Sequence, residues 1–267
     1  INFNFRCNSC KSSFMDMALL MIEVHNLSKS FNTVKILDEI SFDVKNGENL
    51  IVFGKSGSGK SVLLKCLIGL LAPDKGEIFI MEKPTLKLNL KELNELRKEI
   101  GFLFQSAALY DSMSVRENLS FPLIKNFNLS KKEINDRIYE VLEMVSLTEQ
   151  IDKMPSELSG GMRKRIGLAR AIITRPKLMF YDEPTTGLDP ITSKEISRLI
   201  RNLQKDLKMT SIVVTHDLIC AEIIADRAIV LKDGKIEYQG KLEELTNSTD
   251  PFLKDFFSFD FTESGGK

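Results

Sequence analysis

The feature that most constrains the fold is a glycine-rich run at residues 54–61, which reads GKSGSGKS. It fits the pattern G-x4-G-K-[ST] and stands between a short apolar strand predicted over Asn49 to Phe53 and a helix predicted over Ser61 to Leu70. Glycines let backbone N–H groups turn around phosphate oxygens, and the helix N-terminus adds the positive end of a dipole. We therefore expect Lys60 to bind the β and γ phosphates and Ser61 to bind Mg²⁺. The alternative interpretation is a Gly/Ser loop without a ligand.

Composition excludes some classes of protein. The chain has 267 residues, enough for one large domain or two small ones, with 37 Lys and Arg against 37 Asp and Glu. A protein whose main partner is a nucleic acid usually has a basic surplus, so we expect no nucleic-acid partner. No apolar run approaches the roughly 18 residues of a membrane span. Cysteine usage fits a reducing compartment: Cys66 and Cys220 lie in apolar stretches, and the Cys7–Cys10 pair has no second pair at zinc spacing.

Hydropathy patterns predict how the rest of the chain is organised. Alternation in residues 22–31 and 40–45 predicts strands of an antiparallel sheet, and residues 106–158 are predicted to be mostly helical. Residues 1–21 are interpreted as a leader, disordered or upstream of the true start. Residues 22–245 form the predicted main domain, and residues 246–267 are a C-terminal extension.

Two carboxylates follow a second buried strand. The apolar run Leu178 to Tyr181 is typical of a strand covered on both faces, as in a parallel sheet. Asp182 and Glu183 follow it, so they are expected at the same sheet edge as the phosphate loop. Asp182 is placed to hold Mg²⁺, and Glu183 to act as the general base that polarises the attacking water. Without the phosphate loop, the alternative interpretation of Asp182 and Glu183 is a capped turn at the surface.

A second anion site is predicted at Leu158-Ser159-Gly160-Gly161-Met162, which precedes a helix over Gly161 to Thr174. A hydroxyl and bare N–H groups at a helix N-terminus can bind an anion. The simpler interpretation makes Ser159 a helix cap. With a phosphate loop about 100 residues upstream, the anion site is favoured.

These motifs, in this order, resemble the ATP-binding subunits of ABC transporters over residues 22–245. The resemblance rests on the phosphate loop, Gln105, LSGG at 158–161, LMFYDE at 178–183, GLD at 187–189 and His216. It implies an α/β P-loop NTPase fold, with a RecA-like core, an antiparallel β subdomain and an inserted helical subdomain at about 106–158. It also implies an ATP-hydrolysing enzyme whose cofactors are ATP and Mg²⁺.

The resemblance assigns a role to each matching residue. Phe31 would stack on adenine, and the alternative is that it is an ordinary sheet residue. Gln105 would contact Mg²⁺ or the attacking water and would transmit the state of the site to the membrane partner. His216 would contact the γ-phosphate, with a structural histidine as the alternative, and Asp189 would form the D-loop. The nucleotide-binding set is Phe31, Gly54, Lys55, Ser56, Gly57, Ser58, Gly59, Lys60 and Ser61, the magnesium set is Ser61, Gln105 and Asp182, and the catalytic set is Glu183, His216 and Gln105.

The resemblance also implies a homodimer. In such ATPases, Ser159, Gly160 and Gly161 of one subunit would complete the phosphate site of the other, and this sequence has one copy of each motif. One departure from the family pattern is Met162, where many members have Gln; a thioether makes none of the hydrogen bonds of an amide.

Finer details are similar to the ATPases of Mla/MCE-type lipid transport systems. They are SGGMRKR at 159–165, the segment 104–123, GLDPITS at 187–193 and the ending TDPFLKDFF at 249–257. This similarity implies an integral-membrane permease, an MCE-domain lipid-binding partner, a phospholipid or other envelope lipid as substrate, and a place on the cytoplasmic face of the inner membrane. It also implies that the extension docks on a partner chain. The alternatives are an importer of amino acids or metal ions and a non-transport ABC machine.

Overall fold

The structure, a computed structural model, describes the backbone of residues 20–263 and the side chains of residues 20–258. Most of the predicted leader, and with it the Cys7–Cys10 pair, lies outside the described residues. The first strand begins at Leu20, slightly before the predicted start at residue 22.

The described residues form two β-sheets. The smaller sheet has the order β2-β1-β4-β5. It is antiparallel, as the alternation at residues 22–31 and 40–45 predicted. The larger sheet has the order β10-β9-β3-β8-β7-β6 and is parallel except for the β9–β10 hairpin. The strands are β1 Leu20–Phe31, β2 Val34–Lys45, β3 Asn49–Gly54, β4 Lys75–Ile80, β5 Lys83–Pro84, β6 Ile100–Leu103, β7 Leu178–Asp182, β8 Thr210–Val214, β9 Arg227–Lys232 and β10 Lys235–Gly240.

Helices cover the larger sheet. They are α1 Lys60–Leu67, α2 Leu90–Lys98, α3 Val115–Asn126, α4 Lys131–Met144, α5 Gly160–Ile172, α6 Pro190–Leu207, α7 Leu218–Ile224, α8 Leu242–Thr246 and α9 Pro251–Glu263, with short 3-10 turns at Thr85–Lys87, Thr148–Gln150 and Pro155–Glu157.

The apolar strands are central because both of their faces are covered. Phe53 and Tyr181 lie in a core shared with α3 to α7, whereas Val52 and Phe180 lie in a second core shared with α1 and the smaller sheet. Successive side chains of a strand point to opposite faces, which explains the continuous apolar runs. Since β3, β7 and β8 are parallel, the loops that follow them leave the sheet at one edge.

Two cysteines fill these cores, as the sequence predicted. Cys66 and Cys220 are fully buried. Burial raises the pKa of the Cys66 thiol to about 11 and that of Cys220 to about 12. Both therefore behave as small apolar side chains at neutral pH.

Helix α1 is shorter than the predicted span to Leu70. It ends at Leu67, and Gly69 takes a φ of 69° just beyond the end. The Leu70 N–H then donates to the Lys65 carbonyl at 2.9 Å. A glycine in the left-handed conformation commonly ends a helix in this way. The predicted helix was too long because it extended beyond Gly69.

Residues 106–158 are mostly helical, as predicted, apart from the segment before α3. They contain α3 and α4, each of which begins with a capping box, at Ser114 and at Ser130. The segment before α3 is irregular because Ala107 and Ala108 have φ values of 62° and 49°, which no helix contains.

Helix α9 packs against its own chain. Its Phe257 is 5% exposed, with its ring 5.4 Å from that of Phe53 in β3. At its start, the Tyr238 hydroxyl donates to Asp250 at 3.0 Å. The extension thus packs against β3 and β10 of the larger sheet. Docking of this extension on a partner chain stays a prediction.

Candidate nucleotide-binding site

A cavity of about 820 Å³ opens at the edge where the loops after β3, β7 and β8 meet. It brings together most of the residues that the sequence singled out. The predicted site residues that line it are Phe31, Gly54, Lys55, Ser56, Gly57, Gly59, Lys60, Ser61, Gln105, Glu183 and His216. The remaining member of the phosphate loop, Ser58, packs close to Gly54, where an added Cβ would lie within van der Waals overlap of the serine.

The conformation of the loop requires glycine at its end. Gly59 has a φ of 100°, and a Cβ there would lie 2.9 Å from the Ile36 carbonyl oxygen. A side chain would therefore be strained both by the backbone and by β2. This close approach lets the loop fold tightly over the start of α1.

Lys60 places a largely buried positive charge in the cavity. Its ammonium donates to the carbonyl oxygens of Gly54 at 2.7 Å and Lys55 at 3.3 Å, and it lies 3.8 Å from Glu183 Oε1. Burial lowers its pKa, and the carboxylates of Glu183 and Asp182 partly oppose this change. A desolvated cation of this kind interacts strongly with phosphate oxygens.

Ser61 and Asp182 form the part of the site that could hold a metal. The Ser61 hydroxyl donates to Asp182 Oδ1 at 3.1 Å. Burial raises the pKa of Asp182, against the hydrogen bond from Ser61, and the nearby Glu183 carboxylate raises it further. A divalent cation would relieve this repulsion. Hard oxygen ligands of this type fit Mg²⁺, which takes one or two carboxylates and completes its shell with phosphate oxygens and water.

The described residues contain no cluster of three or more His, Cys, Asp or Glu side chains that could hold a metal ion by themselves. The Ser61–Asp182 pair therefore suits a cation that arrives with a nucleotide, as P-loop magnesium does. Both residues were in the predicted magnesium set.

Glu183 is held at the mouth of the cavity by polar contacts. Its Oε2 lies 2.8 Å from His216 Nδ1 and accepts a hydrogen bond from Thr186 at 3.2 Å. Burial raises the pKa of Glu183, but the His216 contact, the charges of His216 and Lys60 and the Thr186 bond outweigh it, so the net pKa is lowered. A carboxylate kept ionised beside an anion site can accept a proton from water.

Two further cavity residues come from the smaller sheet and from the loop after β6. Phe31 is 46% exposed, and the Lys29 ammonium lies 5.6 Å from the centre of its ring. An exposed ring at the rim of a phosphate site is available for stacking on a base. The Gln105 side chain is also exposed, while its backbone carbonyl is bound by Lys164.

The structure does not bring the LSGG residues at 158–161 or the D-loop residue Asp189 into this cavity. Ser159 caps α5 by accepting from the Met162 N–H at 3.2 Å, and Gly160 is exposed next to it. Asp189 caps α6 by accepting from the Ile191 and Thr192 N–H groups, both at 3.0 Å. The local capping interpretation of Ser159 is therefore confirmed, and its role toward a second chain stays a prediction.

Several residues of the cavity wall were not predicted. Thr186 could have been found from its place just after the carboxylates, on the same loop. Asp255 and Phe256 come from α9 and line the same cavity. The sequence analysis predicts that this extension docks on a partner chain, and nothing in its pattern pointed to the nucleotide site.

The site and the fold together define a P-loop nucleotide-binding protein. The sequence profile described as ABC transporter matches residues 37–186, more than half of the chain. The chain belongs to the ABC transporter family. It is an ATP-hydrolysing subunit that binds ATP with Mg²⁺.

Curated relatives of high identity carry several different names. Protein TRIGALACTOSYLDIACYLGLYCEROL 3, chloroplastic, from Arabidopsis thaliana is 42% identical over 89% of this chain and 73% of its own length. The probable ribonucleotide transport ATP-binding protein mkl from Mycobacterium leprae is 39% identical over 89% of this chain and 68% of its own. The methionine import ATP-binding protein MetN from Clostridium tetani is 39% identical over 84% and 70%.

Among solved structures, the ATP-binding cassette MJ0796 has a TM-score of 0.77 and 34% sequence identity, over 83% of this chain and 99% of that one. That structure is a dimer in a post-hydrolysis state bound to ADP and Pi. In the described part of this chain, no helix is both long and apolar enough to cross a bilayer.

Proposed function

We propose that this chain is the ATPase subunit of a lipid transporter of the Mla/MCE type, on the cytoplasmic face of the inner membrane. The observation that carries the proposal is the relative named for a glycolipid, 42% identical over 89% of this chain. The segment 104–123 and the ending 249–257, with their similarity to lipid-transport ATPases, agree with it. The second candidate is an amino-acid importer, which the relative named for methionine import favours.

We further propose the role of each residue in the cavity. Lys60 and the loop N–H groups bind the phosphates, Phe31 stacks on the base, and Ser61, Asp182 and Gln105 hold Mg²⁺. When bound, the metal neutralises phosphate charge. Glu183 accepts a proton from the attacking water, and His216 keeps that carboxylate oriented and contacts the γ-phosphate. Catalysis of this kind comes from positioning and charge stabilisation.

A second copy of this chain is proposed to complete the site. Ser159 and Gly160 are exposed and do not line the cavity that contains Lys60. A second chain can present the same residues, with the N-terminus of its α5, to the γ-phosphate. The dimer of the related MJ0796 cassette supports this arrangement.

Gly160→Asp is expected to lower the rate of ATP hydrolysis about tenfold or more. ATP binding to the single chain is expected to be unchanged. The site tolerates the side chain within one chain, because the nearest atom to an added Cβ is Leu188 Cδ2 at 3.7 Å. The new carboxylate would face the partner's phosphates and repel them. Phosphate release measures the loss of turnover, and light scattering follows ATP-dependent dimerisation.

Gly160→Asn is the matched control, since it adds the same volume without the charge. It is expected to dimerise better than Gly160→Asp. Normal ATP-dependent dimers of Gly160→Asp would contradict the proposed second-chain role.

The proposed permease surface lies beside the cavity, at the helical region. A smaller groove of about 200 Å³ is lined by Phe104, Pro122, Asn126 and Arg170, among others. Nearby on α3, Ile124 is 65% exposed. Exposed apolar side chains around a concave groove are typical of a protein-docking surface. Because Phe104 adjoins Gln105, docking there would act on the nucleotide site.

The lipid proposal is tested by purifying the tagged chain from gently solubilised native membranes and identifying proteins and lipids by mass spectrometry. A multi-span permease, an MCE-domain protein and phospholipid are expected together. The same purification with Ile124→Asp should lose the permease. Recovery of a solute permease without lipid would support the importer candidate, and recovery of soluble partners alone from intact membranes would support a non-transport machine.

A further inference from the structure

Lys164, on α5, is a buried lysine with no role in the proposal above. Its neighbour Arg163 is exposed, whereas Lys164 is only 5% exposed. A buried ammonium is costly unless its donors are paired, so its contacts are informative. In the sequence, Lys164 lies in a basic run between Arg163 and Arg165.

The ammonium of Lys164 joins two backbone positions of the nucleotide site. It donates to the Gln105 carbonyl at 2.6 Å and to the Glu183 carbonyl at 3.2 Å. Burial lowers its pKa to about 8, partly opposed by the Glu183 and Asp182 carboxylates. One side chain therefore connects α5 to the loop after β6 and to the end of β7.

Both of these backbone segments have unusual conformations. Glu183 has a φ of 50°, and Ala107 and Ala108, just after Gln105, have φ values of 62° and 49°. Such conformations persist in residues other than glycine only where the surroundings hold them. The Glu183 N–H donates to the Val214 carbonyl at 2.9 Å, so its backbone N–H is held by β8 while Lys164 holds its carbonyl.

Helix α5 holds the same loop at a second point. Arg170 Nη1 donates to the Ala108 carbonyl, and its guanidinium lies 4.6 Å from the centre of the Tyr110 ring. The loop that carries Gln105 is thus attached to α5 by two cations. Ser159 caps the N-terminus of α5, so these contacts connect the helix that carries Ser159 and Gly160 to the cavity of the same chain.

We propose that Lys164 is a positioning residue for ATP hydrolysis, whose ammonium holds the backbones of Glu183 and Gln105 in the one arrangement that aims both side chains into the phosphate cavity. The inference rests on the roles proposed for Glu183 and Gln105. Lys164 touches neither nucleotide nor water in this scheme and acts through the two carbonyl groups.

Two substitutions of equal charge and similar length test the proposal. Lys164→Met removes every donor, whereas Lys164→Gln keeps an amide that can donate to both carbonyl groups. We expect Lys164→Met to lower kcat about tenfold or more, with the Kd for ATP within about twofold of the wild-type value. Lys164→Gln should keep kcat within about threefold of the wild-type value.

Kd for ATP, KM, kcat and thermal unfolding are measured for each variant, with exposed Lys205→Gln as the control for surface charge. Equal kcat losses in the Met and Gln variants would overturn the hydrogen-bonding role. Wild-type kcat in Lys164→Met would also overturn it, as would a parallel loss of ATP binding and stability in both variants. Failure of the proposed function is separate: it would appear as retained hydrolysis in Glu183→Gln, whatever the Lys164 variants do.

Discussion

Glu183→Gln is expected to bind ATP normally and to hydrolyse it at least about 100-fold more slowly than the wild type, the usual scale of a lost general base. The amide has the shape of the carboxylate, and its oxygen can still accept from Thr186. It cannot accept a proton from water. Because the lowered pKa of Glu183 keeps the wild-type group ionised, the substitution removes the group that is active near neutral pH.

The measurement pairs ATP binding by calorimetry with phosphate release. Glu222→Gln, an exposed exchange of the same kind on α7, is the control and should leave both quantities unchanged. ATP-bound dimers of Glu183→Gln should accumulate, since the step that ends the bound state is slow. Retained hydrolysis would mean that another group activates the water and that the base is wrongly assigned.

The residues that could be predicted from the sequence are those with a local signal. The phosphate loop lies between an apolar strand and a helix, and Asp182 and Glu183 follow the buried run of β7 directly. The meeting of these loops at one edge follows from parallel pairing, which apolar runs indicate. The phosphate loop, the two carboxylates and the parallel pairing that brings them together could therefore all be predicted from the sequence.

Contacts between distant segments could not be predicted in this way. Helical periodicity places Lys164 on α5 but does not tell whether a lysine points outward to water or inward to a carbonyl 59 residues away in sequence. The placement of Phe256 in the cavity wall depends equally on how α9 packs across β3. The end of α1 is a different case, because Gly69 gave a local stop signal.

Lys60→Met is expected to weaken ATP binding about 10- to 100-fold, the range for losing hydrogen bonds between charged groups. Methionine has a similar length and no charge, so the loop is left with its N–H groups and the dipole of α1 as its attraction for phosphate. Turnover at a fixed ATP concentration should fall at least as far as binding does.

A second effect follows from the 3.8 Å contact between Lys60 and Glu183. Lys60 helps to lower the pKa of Glu183, so its removal moves that pKa upward. Turnover at saturating ATP should then also fall, most strongly at acidic pH, where the base takes up a proton. This outcome separates Lys60 from a residue that only binds the nucleotide.

Nucleotide titrations and steady-state rates at several pH values measure both effects, with exposed Lys132→Met on α4 as the matched control. Wild-type affinity in Lys60→Met would mean that the backbone N–H groups and the helix N-terminus hold the phosphates without the ammonium. Weak binding with a wild-type rate at saturation would mean that the charge of Lys60 does not act on Glu183 during hydrolysis.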